Sequence, residues 1–488
     1  MLKLPAVQTR DSLDENLTRD LVSAKENLTP PSASDLVLPQ RHRRAFDWNS
    51  SVVLGMRGAG KSLWTAALSD PATRQIMATE WRIDSFRDMD VQVAFGQDFI
   101  SGERFPGPDT LAALVEKYDP DKIWKTVILT ALDKISPGLA PFPRSGSWDD
   151  RVQWAWANPE PSSRYIYDCD REFTKVNKRL LFVFDALDRA SGDWEFLRKI
   201  VRGALQVALF MRMTGSIREK LFLRPDMFDD PEIWNFADSS KLKQSLGELS
   251  WSPVDLYAVI VQKIINDRNH GAVIRAALGN AIEQSPGRGF ILKSEWLSET
   301  AKMKSIIDAI AGPYMGSDAR RGVTFKWIPN HLADANGRVS PRSMLLAFGE
   351  AARKAKESFA THNLAIHYKA IDAGVTMASR IRVEEIGEEY PWVKPLLDAL
   401  RGLTVPCSQD EITARWTRAT IDSMESAGKL PPRRFATDPV RRGETAVLID
   451  DLVELAVLSR TEDGRINVPD IFRVSAGMKR RGGVPAAK

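Results

Sequence analysis

The chain has 488 residues, room for roughly two to four domains, and an ordinary globular hydrophobic share of 43%. Its 68 basic and 64 acidic side chains leave a formal charge of only +4, which excludes a strongly basic nucleic-acid coat and a highly charged disordered chain. The two cysteines, Cys169 and Cys407, lie far apart and give no disulfide framework. No run reaches the roughly 18 to 20 apolar residues of a spanning helix, and residues 1–16 lack the apolar centre of a secretory signal, so a cytoplasmic protein without a membrane segment is expected.

In chain order, Leu13, Leu17 and Leu21 mark one face of a short helix, followed by the Pro- and Ser-rich stretch Thr29–Ser34; residues 1–45 read as an accessory arm and linker. Residues 46–250 carry short β-rich runs (Ser51 to Leu54, Val91 to Phe95, Leu180 to Phe184, Lys220 to Leu223) alternating with helical stretches, the pattern of a parallel sheet flanked by helices. A Pro-dotted, Trp-rich segment at about 100–165 is too long for a simple connection and reads as an insertion. Residues 251–400 are mostly helical: Leu256, Ile260 and Ile264 recur at intervals of four, and Ser340-Pro341 is a cap followed by a first-turn proline. In residues 401–488, helices over Glu411 to Ala427 and Glu444 to Leu458 precede a hairpin at Ser459 to Val468, as in a winged-helix domain. The expected fold class is α/β, with a P-loop core followed by a helical domain and a winged-helix-like domain.

The sharpest motif is Gly55-Met56-Arg57-Gly58-Ala59-Gly60-Lys61-Ser62, which fits G-x-x-x-x-G-K-[ST] between a strand and a helix beginning at Leu63. Glycines let backbone N–H groups turn inward around phosphate oxygens, and the helix N-terminus adds its positive dipole end. Gly55, Arg57, Gly58, Ala59, Gly60, Lys61, Ser62 and Leu63 are therefore the candidate nucleotide contacts. Lys61 would hold the β- and γ-phosphates and Ser62 would offer a hydroxyl to Mg²⁺.

The run Arg179 to Phe184 ends in Asp185-Ala186-Leu187-Asp188-Arg189, which places acids at the carboxyl edge of a buried strand. Asp185 is the candidate metal carboxylate. Asp188, with only Arg189 as a partner in the local sequence, is the candidate for polarising water, or else a helix cap. Arg224, at the end of the next strand, would reach a γ-phosphate as an arginine finger does, or else form a loop salt bridge with Asp226.

These pieces together, Gly55 to Ser62, Phe184 to Arg189 and Leu223-Arg224-Pro225, resemble the STAND and KAP branch of P-loop ATPases, relatives of the AAA+ class. An acid usually follows the first Asp of that pattern directly, and here Ala186 takes its place. Pro341-Arg342-Ser343 and the segment from Asn467 to Gly483 are similar to parts of ATPase components of bacterial defence or conflict operons. The resemblance implies a slow, ATP-controlled switch that acts on an operon-encoded partner or effector, with homo-oligomerisation as a further property and Arg342 as the second-domain arginine sensing phosphate. The residue-level alternative for Arg342 is a solvated helix-start arginine.

The basic end, with Arg473, Lys479, Arg480, Arg481 and Lys488, would neutralise phosphates of DNA and supports a second reading as an origin-recognition-like ATPase; a solvated or protein-touching tail is its alternative. Arg41 to Arg44 would lie near an adenine or form a charged linker. The spacing of His362 and His367 does not suit a helical zinc pair. Fourteen tryptophans fill a core or supply a docking surface.

Overall fold

The computed structural model describes residues 2–23, 29–96, 102–428, 430–438 and 440–484. It comprises two compact units, Leu38–Ser250 and the chain from Trp251 onward joined by the N-terminal residues.

The first unit is built on five strands, β1 (Val52–Leu54), β2 (Met89–Phe95), β3 (Arg179–Phe184), β4 (Ile217–Leu223) and β5 (Gly247–Glu248), in the order β2-β3-β4-β1-β5. All pairings are parallel, with Val53 opposite Phe222, Phe184 opposite Leu221 and Val53 opposite Gly247. Buried parallel strands are ordinarily near-continuous apolar runs, and β1 and β4 are buried along their whole length. The four expected runs all form strands; β5, with two residues and no apolar run, has no sequence signal.

Helices cover the sheet. Trp124, on the helix Pro120–Ile135, is fully buried, meets Phe95 and Phe184 edge-on at 5.4 Å each, and donates its indole N–H to Ile200 O at 2.8 Å. This helix, inside the segment read as an insertion, is therefore part of the sheet's own cover. The Trp-rich segment divides: Trp124 and Trp148 are buried, while Trp156 is 57% exposed.

β4 interrupts its apolar pattern with Arg218, Glu219 and Lys220, all buried. Arg218 donates to the carbonyls of Met211 and Thr214, and Lys220 donates to those of Ala45 and Ser50, so neighbouring backbone satisfies both cations. Glu219 is different: both carboxyl oxygens are buried without a hydrogen-bond partner among the described residues, and burial pushes its pKa well above the ordinary value.

The second unit is mainly helical. Ser340 caps the helix Pro341–Ser358 by accepting from Ser343 N, as expected, and that helix packs on Tyr368–Glu389. The crossing is close: a Cβ on Gly374 would come within 2.1 Å of Ala347 O. The opening helix Ala6–Ser23, read as an accessory arm, packs on Pro341–Ser358, with Leu13 and Leu17 fully buried and Arg10 donating to Ala360 O and Ala365 O. The Leu21 side chain lies outside the described residues.

At the C-terminal end, the helix Val393–Ala399, the strand Thr404–Val405, the helices Gln409–Thr413, Arg418–Glu425 and Thr445–Glu454, and the hairpin Ser459–Arg460/Ile466–Asn467 follow in order. Cys407 forms an isolated antiparallel bridge to Ile466 on the hairpin, so the order of elements is winged-helix-like. The single helix expected over Glu411 to Ala427 is two, because Thr417 restarts the chain by accepting from Thr420 N.

Candidate active site

β1 ends at Leu54 and the chain turns through residues 55–60 into the helix Lys61–Ser69. Gly58 (φ 77°) and Gly60 (φ 100°) are left-handed, a conformation glycine adopts without a Cβ penalty. The helix therefore starts at the loop's mouth with its first N–H groups and positive dipole end turned toward it. Lys61 folds back over the loop, its Nζ donating to Gly55 O at 2.8 Å and Met56 O at 3.2 Å. A Cβ on Gly55 would lie 3.0 Å from Lys61 Cγ and 3.3 Å from Leu249 Cδ1, so glycine there leaves room for the lysine stem.

Asp185 follows β3 and is 1% exposed; its N–H donates to Phe95 O at 2.9 Å. Its Oδ1 accepts from Ala186 N at 2.9 Å, while Oδ2 is buried with no hydrogen-bond partner among the described residues. Burial raises its pKa above the ordinary aspartate value, opposed first by the Lys61 ammonium and then by the Ser62 hydroxyl. The motif's lysine and hydroxyl and the strand-end carboxylate thus converge. Ser62 and Asp185 fit Mg²⁺, a hard cation that takes one or two protein oxygens and completes its shell with water and phosphate, and the orphaned Oδ2 is the atom such an ion would satisfy. Among the described residues there is no cluster of three or more His, Cys, Asp or Glu that would hold a metal by itself.

Ala186 is left-handed too (φ 57°), a conformation that costs an L-residue on the order of 1 kcal/mol and turns the chain into the short 3₁₀ turn Leu187–Arg189. That turn carries Asp188. Its partner, expected locally in Arg189, is instead Arg224 at the end of β4, whose Nη1 lies 2.9 Å from Asp188 Oδ2. Arg224 also takes Asp226 bidentately, Nε to Oδ1 at 3.1 Å and Nη2 to Oδ2 at 3.0 Å. The Arg224–Asp226 pair anticipated as a surface contact is present but buried, with side-chain exposures of 5% and 10%. Burial pushes the Asp188 carboxyl up, and Arg224, Lys61 and Arg189 together more than offset it, so its pKa falls below the ordinary value.

Behind the loop, Phe46, Trp64 and Trp81 form a buried aromatic cluster with ring centroids 5.0 to 5.5 Å apart, and the His42 ring meets Trp64 edge-on at 5.6 Å. His42 bonds to Ser250 O at 2.8 Å, and burial lowers its pKa to about 4, so it stays neutral. The Arg41 to Arg44 stretch therefore divides into a core histidine and exposed arginines. No sequence signal marked Trp64 as this cluster's centre beyond its place on the motif helix.

Arg342 belongs to the other unit, where Nη1 donates to Glu385 Oε1 at 2.8 Å. It is an ion-paired helix-start residue there, with its side chain 36% exposed. The basic end is also partly internal. Arg473 and Arg480 both bond to the buried Asp470, Arg473 at 2.7 Å and Arg480 at 3.0 Å, while Lys479 and Arg481 are exposed and Lys488 lies outside the described residues. No helix among the described residues is long and apolar enough to cross a membrane.

No protein-family model and no curated protein sequence matches the chain. Among solved structures, Aeropyrum pernix ORC1 in complex with DNA is 12% identical with a TM-score of 0.35, over 92% of this chain and 95% of that one. Aeropyrum pernix ORC2, solved as ADPNP–ADP complexes, is 11% identical with a TM-score of 0.34, over 97% and 94%. Cdc6p from Pyrobaculum aerophilum is 11% identical with a TM-score of 0.27, over 96% and 92%. None of these likenesses assigns a function to the chain; what its first unit shows of itself is a five-stranded parallel sheet with the glycine-rich loop between β1 and the helix Lys61–Ser69.

Proposed function

We propose that this chain is a Mg²⁺-dependent, ATP-binding and slowly ATP-hydrolysing switch of the AAA+-related STAND/KAP type, acting in the cytoplasm on a partner protein of a bacterial defence or signalling complex. The observation that carries the nucleotide reading is the convergence of Lys61, Ser62 and Asp185, with one Asp185 oxygen buried and without a hydrogen-bond partner among the described residues. The amides of residues 55–63 and Lys61 bind the phosphates. Ser62 and Asp185 hold the metal, which when bound neutralises phosphate charge. Asp188 orients water, and Arg224 meets charge at the γ-phosphate. Arg342 is the phosphate-sensing arginine of this reading. Turnover of ATP by the pure protein and by Lys61→Ala, with native mass in apo, ADP and ATP-analogue states, tests this reading. Nucleotide-dependent mass or turnover that Lys61→Ala abolishes is expected; identical behaviour of the two proteins contradicts it.

A second reading, binding of duplex DNA in the manner of an origin-recognition ATPase, is favoured by the winged-helix-like order of elements and by the exposed Lys479 and Arg481. Against it, the helix Thr445–Glu454 before the wing carries Asp450, Asp451 and Glu454 and no lysine or arginine. A log-log plot of duplex affinity against salt decides it, since phosphate contacts give a negative slope and a flat line removes this reading.

A further inference from the structure

We infer that Asp226 is a positioning residue that holds Arg224 so that a γ-phosphate, and not a diphosphate alone, draws the arginine off Asp188. The inference rests on the nucleotide reading above. The arginine's two ends are engaged differently: the Nε–Nη2 edge lies flat on the Asp226 carboxylate in two bonds, and Nη1 reaches Asp188 in one. A bidentate pair fixes the plane of a guanidinium, whereas a single bond fixes only a direction. Asp226 therefore acts as a strut and the Nη1–Asp188 contact as the exchangeable end.

The two acids also come from different places. Asp226 follows Arg224 by two residues in the helix Pro225–Phe228, so strut and arginine move together. Asp188 lies on the turn after β3, next to the metal carboxylate Asp185. The Lys61 ammonium, which would contact the phosphates, is also near enough to act on both Asp185 and Asp188. Phosphate oxygens arriving at Lys61 thus add negative charge beside an Asp188–Arg224 pair with side-chain exposures of 14% and 5%, where little water screens it. The guanidinium lowers the energy by turning Nη1 toward the phosphate, pivoting on the Asp226 edge, and Asp188 is released to orient water. ADP, one phosphate shorter, leaves Asp188 latched. A guanidinium without the strut has no fixed pivot, so phosphate number is no longer converted into a position.

The test is displacement of a fluorescent ADP analogue by ADP and by ATPγS with Mg²⁺, for wild type, Asp226→Asn, Asp226→Glu and Lys61→Ala. Wild type is expected to prefer ATPγS by about tenfold or more, and Asp226→Asn to bring that preference within about twofold of unity while ADP affinity changes by less than about twofold. Asp226→Glu, which keeps the carboxylate, is expected to restore part of the preference. Saturating turnover by Asp226→Asn falls, with KM for ATP little changed. The strut is overturned if Asp226→Asn keeps the wild-type preference, or if ADP and ATPγS affinity fall together, the mark of a merely structural aspartate. Wild type and Lys61→Ala binding ADP alike, or neither binding it, defeats the site and the strut together. Loss only in Lys61→Ala, with Asp226→Asn like wild type, defeats the strut alone.

Discussion

Arg224 lies between two carboxylates, 2.9 Å from Asp188 across the sheet edge and bidentate with Asp226 two residues on. Removing either side of a buried pair has unequal consequences. Asp188→Asn leaves Arg224 paired with Asp226, so the fold should hold and ATP affinity should not fall, the latch that ATP must open being weakened, while single-turnover hydrolysis drops by about 100-fold or more. Arg224→Ala instead leaves two carboxylates facing each other without their cation, and should destabilise the first unit by about 3–5 kcal/mol in denaturant titrations.

Glu219 makes stability depend on pH. Burial pushes its carboxyl pKa well above the ordinary glutamate value of 4.5, so between the two values the folded state keeps a proton that the unfolded state gives up. Stability contributed at this position is therefore full at low pH and is lost progressively as pH rises toward the folded-state pKa. Glu219→Met, which removes the unsatisfied acid with an unbranched apolar chain, should raise stability by about 1–3 kcal/mol at pH 8 and by less near pH 4, measured by urea melts at both values.

The basic end should separate into two classes of residue. Arg480→Ala exposes Asp470 to loss of a partner and should lower the melting temperature, whereas Lys479→Ala and Arg481→Ala, both at the surface, should leave it within error. If the protein binds duplex DNA, only the second pair should flatten the salt dependence, by about one unit of slope for each phosphate contact removed.

Gly374→Ala should be unusually costly for a helix interior, where alanine ordinarily stabilises. The added methyl meets the Ala347 carbonyl, so the two long helices must separate, at about 1–3 kcal/mol, which a chemical melt of the variant checks.

The phosphate loop and its carboxylate are legible from sequence because backbone amides can wrap a phosphate only where glycines stand at fixed offsets, and because a buried strand that ends in Asp185 has one edge at which to present it. The partner of Asp188 is not legible, since Arg224 lies 36 residues away and is brought alongside only by parallel pairing of β3 and β4. β4 is recognisable from its apolar end, but the burial of its charges is not, since the backbone carbonyls that accept from Arg218 and Lys220 in the core belong to other segments. The C-terminal basic run looks like a surface in sequence because nothing local shows that Asp470 is buried and gathers two of its arginines. Residues 411–427 carry helical periodicity throughout, and the Thr417 cap that divides them is a local competition that periodicity does not register.

The central claim is that triphosphate and metal are held together by the loop ending in Lys61-Ser62 and by Asp185. Calorimetric titration of the full chain with ATP, in the presence of Mg²⁺ and of EDTA, tests it most directly when repeated on Asp185→Asn. The account predicts wild-type binding that Mg²⁺ strengthens by about tenfold or more and Asp185→Asn binding that Mg²⁺ changes by less than about twofold. Equal enhancement by Mg²⁺ in both proteins, or no ATP binding by wild type, would contradict it.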